Sequence, residues 1–203
     1  MRFSTLSALI LAGITANAMA SNAMASTVKD AQSRAAAEPA RQHTPLVINK
    51  PVYIMVEPEN DNRVYDLVNG DSGTGAPVQV KTREGGRLEQ QWNITEAADP
   101  TGTGAVLYTI TNMASKTSMS CYNSAGAQMV GGPGGSFMIS KSNRNAGWNI
   151  IDPTNGYAAT SWADAIRSMN SGPITIQPLN HDLQQQIVFF ELVPAQHCTW
   201  RFI

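Results

Sequence analysis

The chain has 203 residues, of which 42% are apolar and 14% are charged, and its formal net charge is −1. This length suits one domain with end segments. The near-neutral charge argues against a nucleic-acid-binding protein, which would need a basic face. After the first twenty residues, no stretch approaches the roughly 18 apolar residues that a membrane-spanning helix requires.

The N-terminus has the pattern of a secretory signal peptide. Met1 and Arg2 give a positive start, residues 6–14 are apolar, and a small-x-small motif follows at 16–18 or 18–20. The alternative is a buried N-terminal helix, but the apolar run is short for one. We expect residues 1–20 to be a signal peptide and the protein to be secreted. The signal peptide and the sequence texture resemble those of fungal proteins.

Residues 21–45 are rich in alanine and charge and lack a lasting apolar period, which predicts a disordered leader. From residue 46 the sequence changes to short β-type runs separated by turn residues. The first unit is predicted to contain strands at 52–56, 63–68, 78–81 and 91–94. Asn69-Gly70 and Gly85-Gly86 supply turns between them.

Two further units of similar texture follow. Strands are expected at 106–111, 118–122, 127–130 and 147–150 in the second unit, and at 156–160, 166–169, 174–177 and 188–192 in the third. Short strands with regularly spaced turns, and no sustained helical period, predict an all-β barrel or sandwich. The predicted domain spans residues 46–195, and residues 196–203 form an apolar tail.

A large aromatic residue ends each predicted unit: Trp92, Trp148 and Phe190. In each case the aromatic alternates with a polar residue and then an aliphatic one, which places the two apolar side chains on one face of a strand. Aromatic side chains of this size bury roughly 150–250 Å² each, so we interpret these three residues as structural core. An irregular sandwich with chance similarity is the alternative to a threefold repeat.

The motif Gln90-x-Trp92 resembles the Gln-x-Trp signature of the ricin-B-type lectins. That resemblance implies a β-trefoil, in which three four-stranded units form a six-stranded barrel capped by three hairpins. The first unit fits the signature well. The second has Ala146 where Gln is expected, and the third has Val188 there and Phe190 for Trp.

The resemblance also implies a sugar site made by Asp66, Gln79 and Gln90. A carboxylate accepts strong hydrogen bonds from two neighbouring hydroxyls, which a hydroxyl side chain does less well. Lys81 stands where the family has an aromatic that stacks on the sugar. Ser120 and Ser168 stand at the acid position of the other units. The alternative role for Asp66 is to organise the Asn69-Gly70 turn.

The two cysteines, Cys121 and Cys198, allow one intramolecular disulfide, which fits an oxidising compartment. Such a bridge would stabilise the fold by about 4 kcal/mol in the chain-entropy model. Two unpaired thiols, with Cys121 as a small core residue, are the alternative. The sequence Asn93-Ile94-Thr95 is a glycosylation sequon, so Asn93 is a candidate glycan acceptor.

The expected function is non-catalytic binding of glycans or glycoproteins, without a cofactor or a metal. The three histidines show no metal-ligand spacing, and no nucleophile motif is present. The alternative is a secreted β-trefoil protease inhibitor acting through loops at 57–62, 131–136 and 161–164, with Trp162 as an anchor or folded back on the barrel. A homodimer, with the apolar tail as one contact, would raise the avidity of a single weak site.

Overall fold

The computed structural model describes residues 45–57, 61–100, 102, 104–143, 147–162, 171–180 and 183–195. The predicted signal peptide, nearly all of the leader, the tail, Ser168 and Cys198 lie outside these residues. The described residues form twelve strands: β1 (Pro51–Glu57), β2 (Asp61–Leu67), β3 (Ala76–Thr82), β4 (Trp92–Ala97), β5 (Leu107–Asn112), β6 (Ser118–Ser120), β7 (Val130–Gly132), β8 (Met138–Lys141), β9 (Trp148–Ile151), β10 (Tyr157–Ser161), β11 (Ser171–Pro178) and β12 (Phe189–Leu192).

Six of these strands close into a barrel. Antiparallel ladders join β12 to β1, β1 to β4, β4 to β5, and β8 to β9. The two remaining joints are single bridges, Tyr108 with Phe137 between β5 and β8, and Trp148 with Val188 between β9 and β12. Each bridge carries a pair of main-chain hydrogen bonds of 2.8 and 2.9 Å, so the barrel is closed all the way round.

The other six strands form three hairpins, β2 with β3, β6 with β7 and β10 with β11. The third strands of the three units, β3, β7 and β11, meet one another around a common centre. The pairs are Ala76 with Gly131, Gln128 (just before β7) with Thr175, and Gly172 with Val80. Three hairpins around one centre, over a six-stranded barrel, make a β-trefoil. The predicted fold class is confirmed.

The repeat register differs from the sequence prediction. The first strand of each unit bridges the start of its fourth strand through Val52–Trp92, Tyr108–Phe137 and Trp148–Val188. The structural counterparts of Trp92 are therefore Phe137 and Val188. The prediction that strand 147–150 ends the second unit is wrong, because β9 opens the third unit and β8 ends the second. Strand β10, expected to open the third unit, is its second strand.

A short connection in the second unit explains this error. Phe137 follows β7 after residues 133–136, whereas Trp92 follows β3 after 83–91 and Val188 follows β11 after 179–187. If the second unit had a connection as long as that of the first, its fourth strand would begin several residues later. Because the connection is shorter, the fourth strand comes earlier, and the place where it was predicted is taken by β9, the first strand of the third unit. Phe190 is the counterpart of Ile94, since both lie two residues beyond the bridging position.

The three predicted core aromatics are buried, although they are not equivalent to one another. Trp92 is fully buried, Phe190 is 1% exposed and Trp148 is 8% exposed, and all three belong to one central apolar cluster. The indole N–H of Trp92 donates to the carbonyl oxygen of Tyr65 at 3.1 Å, which satisfies the one polar group of its side chain. All three side chains therefore belong to the buried core.

The turn between β2 and β3 follows the sequence signal. Asn69 and Gly70 both adopt a φ of +59°, in the left-handed region that Gly and Asn enter most easily. They belong to a short 3₁₀ turn, Val68–Gly70. This turn brings the two strands of the first hairpin into register, which sets Asp66 opposite Gln79.

Within the described ranges, no helix is long and apolar enough to cross a membrane. The same ranges contain no group of three or more His, Cys, Asp or Glu residues that could hold a metal ion.

Candidate functional site

Asp66 and Gln79 face each other across the first hairpin. They are direct partners in the β2–β3 register, and the Gln79 Nε2 donates to Asp66 Oδ1 at 2.9 Å. Their neighbours Tyr65 and Leu67 are fully buried in the central cluster. Because side chains alternate between the faces of a strand, Asp66 and Gln79 lie on the outer face of the hairpin. The structure thus brings these two predicted site residues together.

The second oxygen of Asp66 is enclosed and has no hydrogen-bond partner among the described residues. The whole residue is only 2% exposed, whereas Gln79 is half-buried. A carboxylate oxygen that is removed from water without a donor costs free energy. A hydroxyl group at Oδ2 would relieve this cost, so the pair is a suitable acceptor for a polyhydroxylated ligand once the groups that cover Oδ2 move aside.

Gln90 has a different environment from the other two residues. Its side chain is fully buried, its Nε2 donates to the carbonyl oxygen of Thr82 at 3.0 Å, and its Oε1 accepts from the Glu84 N–H at 2.8 Å. Both ends of the amide are therefore bonded to the main chain. In this geometry Gln90 holds the connection between β3 and β4 against the end of β3, and it does not face a ligand.

Lys81 lies on β3 at the position where an aromatic was expected, and it belongs to a charged cluster with residues of this connection. Its Nζ lies 3.3 Å from Glu84 Oε1, and Arg87 lies 2.9 Å from Glu84 Oε2 and 3.5 Å from Glu89 Oε2. Hydrogen bonds from Arg87 and then from Lys81 lower the pKa of Glu84. The pairs are exposed or partly exposed, so they contribute little to stability. The first hairpin has no aromatic at this strand position.

The third hairpin repeats the glutamine bond pattern with different residues. Gln186 Oε1 accepts from the Asn180 N–H at 2.8 Å, and its Nε2 donates to the Pro178 carbonyl oxygen at 3.0 Å. The sequence separations equal those around Gln90. The sequence signal was Gln186-x-Val188, which the alignment on Phe190 missed because it placed the motif two residues too late.

Register pairing also identifies the counterparts of Asp66. Ser120 pairs with Val130 in the second hairpin, and Thr160 pairs with Thr175 in the third, as Asp66 pairs with Gln79. The loss of the acid from the second unit agrees with the prediction. In the third unit the position belongs to Thr160 and not to Ser168, which lies outside the described residues.

The second unit has no glutamine of this kind. The residue two before Phe137 is Gly135, and a Cβ there would lie 2.1 Å from the carbonyl oxygen of Met119. Real Cβ contacts are not this short. The connection 133–136 therefore passes directly over β6, where the other two units use a longer loop fastened by glutamine.

Trp162 immediately follows β10 and remains 38% exposed. Its indole N–H donates to Thr175 Oγ1 at 2.8 Å, which fixes the ring against the hairpin. Trp162 was expected to be either an exposed anchor or a side chain folded back on the barrel. The structure shows features of both, because the indole N–H is bonded to the hairpin while the residue stays partly exposed.

Cys121 carries a free thiol in the structure, and its Sγ lies 3.6 Å from Asp152 Oδ2. Burial, followed by the charge of Asp152 and the hydrogen bond to it, raises the pKa of this thiol to about 12. Its predicted partner, Cys198, lies outside the described residues, so the disulfide remains a prediction. Asn93 is half-buried between β1 and β5, and its glycosylation remains a prediction.

Neither a family model nor a curated protein matches this chain. Solved structures do. The Rhizoctonia solani agglutinin is 18% identical with a TM-score of 0.58, and the match covers 73% of this chain and 99% of that one. The Macrolepiota procera ricin B-like lectin, solved in complex with lactose, is 14% identical with a TM-score of 0.57 over 73% and 99% of the two chains.

The designed threefold-symmetric protein ThreeFoil is similar over 70% of this chain and 97% of its own, with 14% identity and a TM-score of 0.56. Similarity at these identities establishes the fold. The protein is therefore a β-trefoil, and its neighbours include lectins of the family that Gln90-x-Trp92 resembles.

Proposed function

We propose that this protein is a secreted, non-catalytic carbohydrate-binding protein of the ricin-B type. The observation that carries the proposal is the Asp66–Gln79 pair: a buried carboxylate held by an amide at 2.9 Å, with its second oxygen lacking a donor. The pair lies on the outer face of a trefoil hairpin. Lectins with the same fold, one of them solved in complex with lactose, support this choice of ligand class.

In this proposal, Asp66 accepts hydrogen bonds from sugar hydroxyls and Gln79 orients the carboxylate. Gln90 acts indirectly, since it fixes the connection that carries Glu84, which pairs with Lys81 two residues along β3 from Gln79. A charged acceptor strengthens each hydroxyl bond compared with a neutral one. The protease-inhibitor alternative is not favoured, because the two natural proteins compared above are lectins.

The test is a glycan-array screen of the full-length secreted chain beside the Asp66→Asn variant. Asn keeps the size of Asp but removes the charge, so binding should weaken by about tenfold or more, as expected for loss of a charged hydrogen bond. Glu96→Gln is the matched control, because Glu96 is an exposed acid on barrel strand β4. The control should bind like the wild type.

Thermal unfolding of the Asp66→Asn variant checks that the fold is retained. Removing a buried charge with an unpartnered oxygen should leave stability unchanged or slightly raised. A chain that binds no glycan on the array would contradict the proposed function. Binding that is equal in the wild type and the Asp66→Asn variant would contradict the assignment of the site to the first hairpin.

A further inference from the structure

Lys81 lies diagonally across the first hairpin from Asp66. It stands two residues along β3 from Gln79, which pairs directly with Asp66. Because successive side chains of a strand alternate between its faces, Lys81, Gln79 and Asp66 share the outer face of the hairpin. Diagonal neighbours in an antiparallel pair are roughly 7–8 Å apart, a distance that a long side chain can span. A cation and a carboxylate therefore border the same patch of this face.

The ammonium group of Lys81 is held by Glu84. Its Nζ lies 3.3 Å from Glu84 Oε1, and its side chain is 27% exposed. The other oxygen of Glu84 contacts Arg87 at 2.9 Å, so Glu84 keeps a cationic partner when Lys81 contacts another group as well. An ammonium group has three N–H donors, and the contact with Glu84 uses one of them. Lys81 can therefore donate to a ligand without leaving Glu84 unpaired.

This cation is particular to the first hairpin. Register pairing makes Gly132 and Gln177 the counterparts of Lys81 in the second and third units. Ser171, which pairs with Lys81 from β11, carries no charge. The three hairpins therefore share a strand position but offer different groups there: an ammonium, a bare main chain and an amide.

The charges around Lys81 balance one another. Arg87 also contacts Glu89 at 3.5 Å, so the two cations of this cluster stand beside two acids. A cluster without net charge does not draw in anions over a long distance. Attraction for an anionic group would instead come from direct contact with the Lys81 ammonium, since such a charge-assisted hydrogen bond is stronger than a neutral one.

A carboxylate acceptor and an ammonium donor on one face match a ligand that carries complementary groups. The hydroxyls of a pyranose can donate to Asp66, as in the proposed function. A carboxylate on the same ring, or on the ring next to it, can accept from Lys81. This carboxylate must lie on the Lys81 side, because Asp66 would repel it. The two contacts together would orient the sugar without a stacked aromatic.

We propose that Lys81 makes the first hairpin selective for acidic saccharides, in which a sugar carries a carboxylate as uronic and sialic acids do. This inference rests on the proposed function and names the ligand class of the same site. Asp66 accepts from the ring hydroxyls, Gln79 orients Asp66, and Lys81 binds the ligand carboxylate. Arg87 retains Glu84 while Lys81 contacts the ligand.

The test compares saccharide pairs in which one member carries a carboxylate and the other does not. The pairs are methyl glucuronide with methyl glucoside, methyl galacturonide with methyl galactoside, and 3′-sialyllactose with lactose. Dissociation constants for the full-length chain are measured by ligand-observed NMR. We expect the acidic member of at least one pair to bind about three- to tenfold more tightly, as for an ion pair at a partly exposed side chain. Sodium acetate at the same concentration should not displace it.

Variants assign this preference to Lys81. In Lys81→Gln the two members of the pair should bind within about twofold of each other, with the affinity for the neutral member retained. Lys81→Arg keeps the charge and should keep a preference for the acidic member. Lys50→Gln is the matched control, because Lys50 is an exposed lysine just before β1. Raising the salt concentration to about 0.5 M should reduce the preference of the wild type.

Equal affinity for both members of every pair overturns the inference, and so does a preference that Lys81→Gln retains. In either case, neutral-sugar binding that is lost in Asp66→Asn leaves the proposed function standing. Displacement by acetate, or affinity for the acidic member that is unchanged in Asp66→Asn, would show an adventitious ion only and also overturns the inference. A chain that binds none of these sugars and no glycan on the array contradicts the proposed function and this inference together.

Discussion

The first and third hairpins share a backbone frame but differ in the chemistry of their outer faces. Both carry a buried glutamine with the same main-chain partners, Gln90 in one and Gln186 in the other. On the outer face, however, the first has a carboxylate with an amide and no aromatic, and the third has hydroxyls with an exposed indole. The buried contacts hold the fold, so the outer face can change without unfolding it.

The second hairpin shows that even the glutamine can be replaced. Its connection is shorter, and Gly135 passes close to the main chain of β6. The third strand is thus joined to the fourth in two ways. The first and third units have a longer connection bonded by a glutamine amide, and the second has a short connection that requires Gly135.

The largest effect is expected from Gly135→Ala. Its Cβ would meet the Met119 carbonyl oxygen at 2.1 Å, and the main chain cannot move aside as a flexible side chain would. We expect a loss of about 3 kcal/mol or more in unfolding free energy, measured by urea denaturation. Gly132→Ala is the matched control, since its Cβ would have ordinary contacts at 3.6 Å and beyond. Equal stability of the two variants would contradict the close approach.

Gln90→Ala and Gln186→Ala should destabilise the chain by similar amounts, about 2–4 kcal/mol each. Each change leaves a main-chain N–H and a carbonyl oxygen without their partner and opens a cavity. Gln186 also donates to Thr160 Oγ1 at 3.1 Å, so its loss should cost slightly more. Urea denaturation of both variants measures this. If only one variant were destabilised, the two connections would not be equivalent.

Cys121, which directly follows β6 and corresponds to Leu67 and Ser161 in the other units, should make stability depend on pH. The pKa of Cys121 is raised to about 12 in the folded chain, so folding keeps the thiol protonated. Its contribution is complete below the thiol's ordinary pKa and is lost as the pH rises towards 12. The melting temperature of the wild type should therefore fall more than that of Cys121→Ala between pH 8 and pH 10.5.

Alkylation of the same thiol by iodoacetamide at pH 8.5 should be about a hundredfold slower in the folded chain than in urea, because the thiolate is the reactive form. Thiol titration in denaturant also tests the predicted bridge. Two thiols per chain would contradict a Cys121–Cys198 disulfide. No thiol would support the bridge and contradict the thiol seen in the structure.

The smallest effect is expected from Lys81→Gln, which gives the first hairpin the residue that the third has at Gln177. The Lys81–Glu84 pair is partly exposed, so unfolding free energy should change by less than about 0.5 kcal/mol. Urea denaturation at low and high salt measures it. A loss above about 1 kcal/mol would show that the charged cluster, and not Gln90 alone, holds this connection.

The resemblance to the ricin-B-type lectins implied that Asp66 and Gln79 belong to one site. Sequence reasoning predicted the all-β texture, the three units and the burial of Trp92, Trp148 and Phe190. These features depend on local signals: alternation, turn residues and one motif. Alternation assigns side chains to a face because successive residues of a strand point in opposite directions. The strand positions of the first unit could therefore be predicted closely.

The tertiary structure alone decided which residues are equivalent. Alternation is the same for every strand, so it does not say which strands pair. No sequence signal therefore showed that the connection 133–136 is shorter than its counterparts, and the predicted boundary between the second and third units was wrong. Closure of the barrel fixes the pairing, because each first strand must bridge its own fourth strand, as Tyr108 does with Phe137. The same register sets two contacts that no sequence signal indicated, because both depend on how the third unit is aligned: Gln186 with the main chain at Asn180, and Trp162 with Thr175.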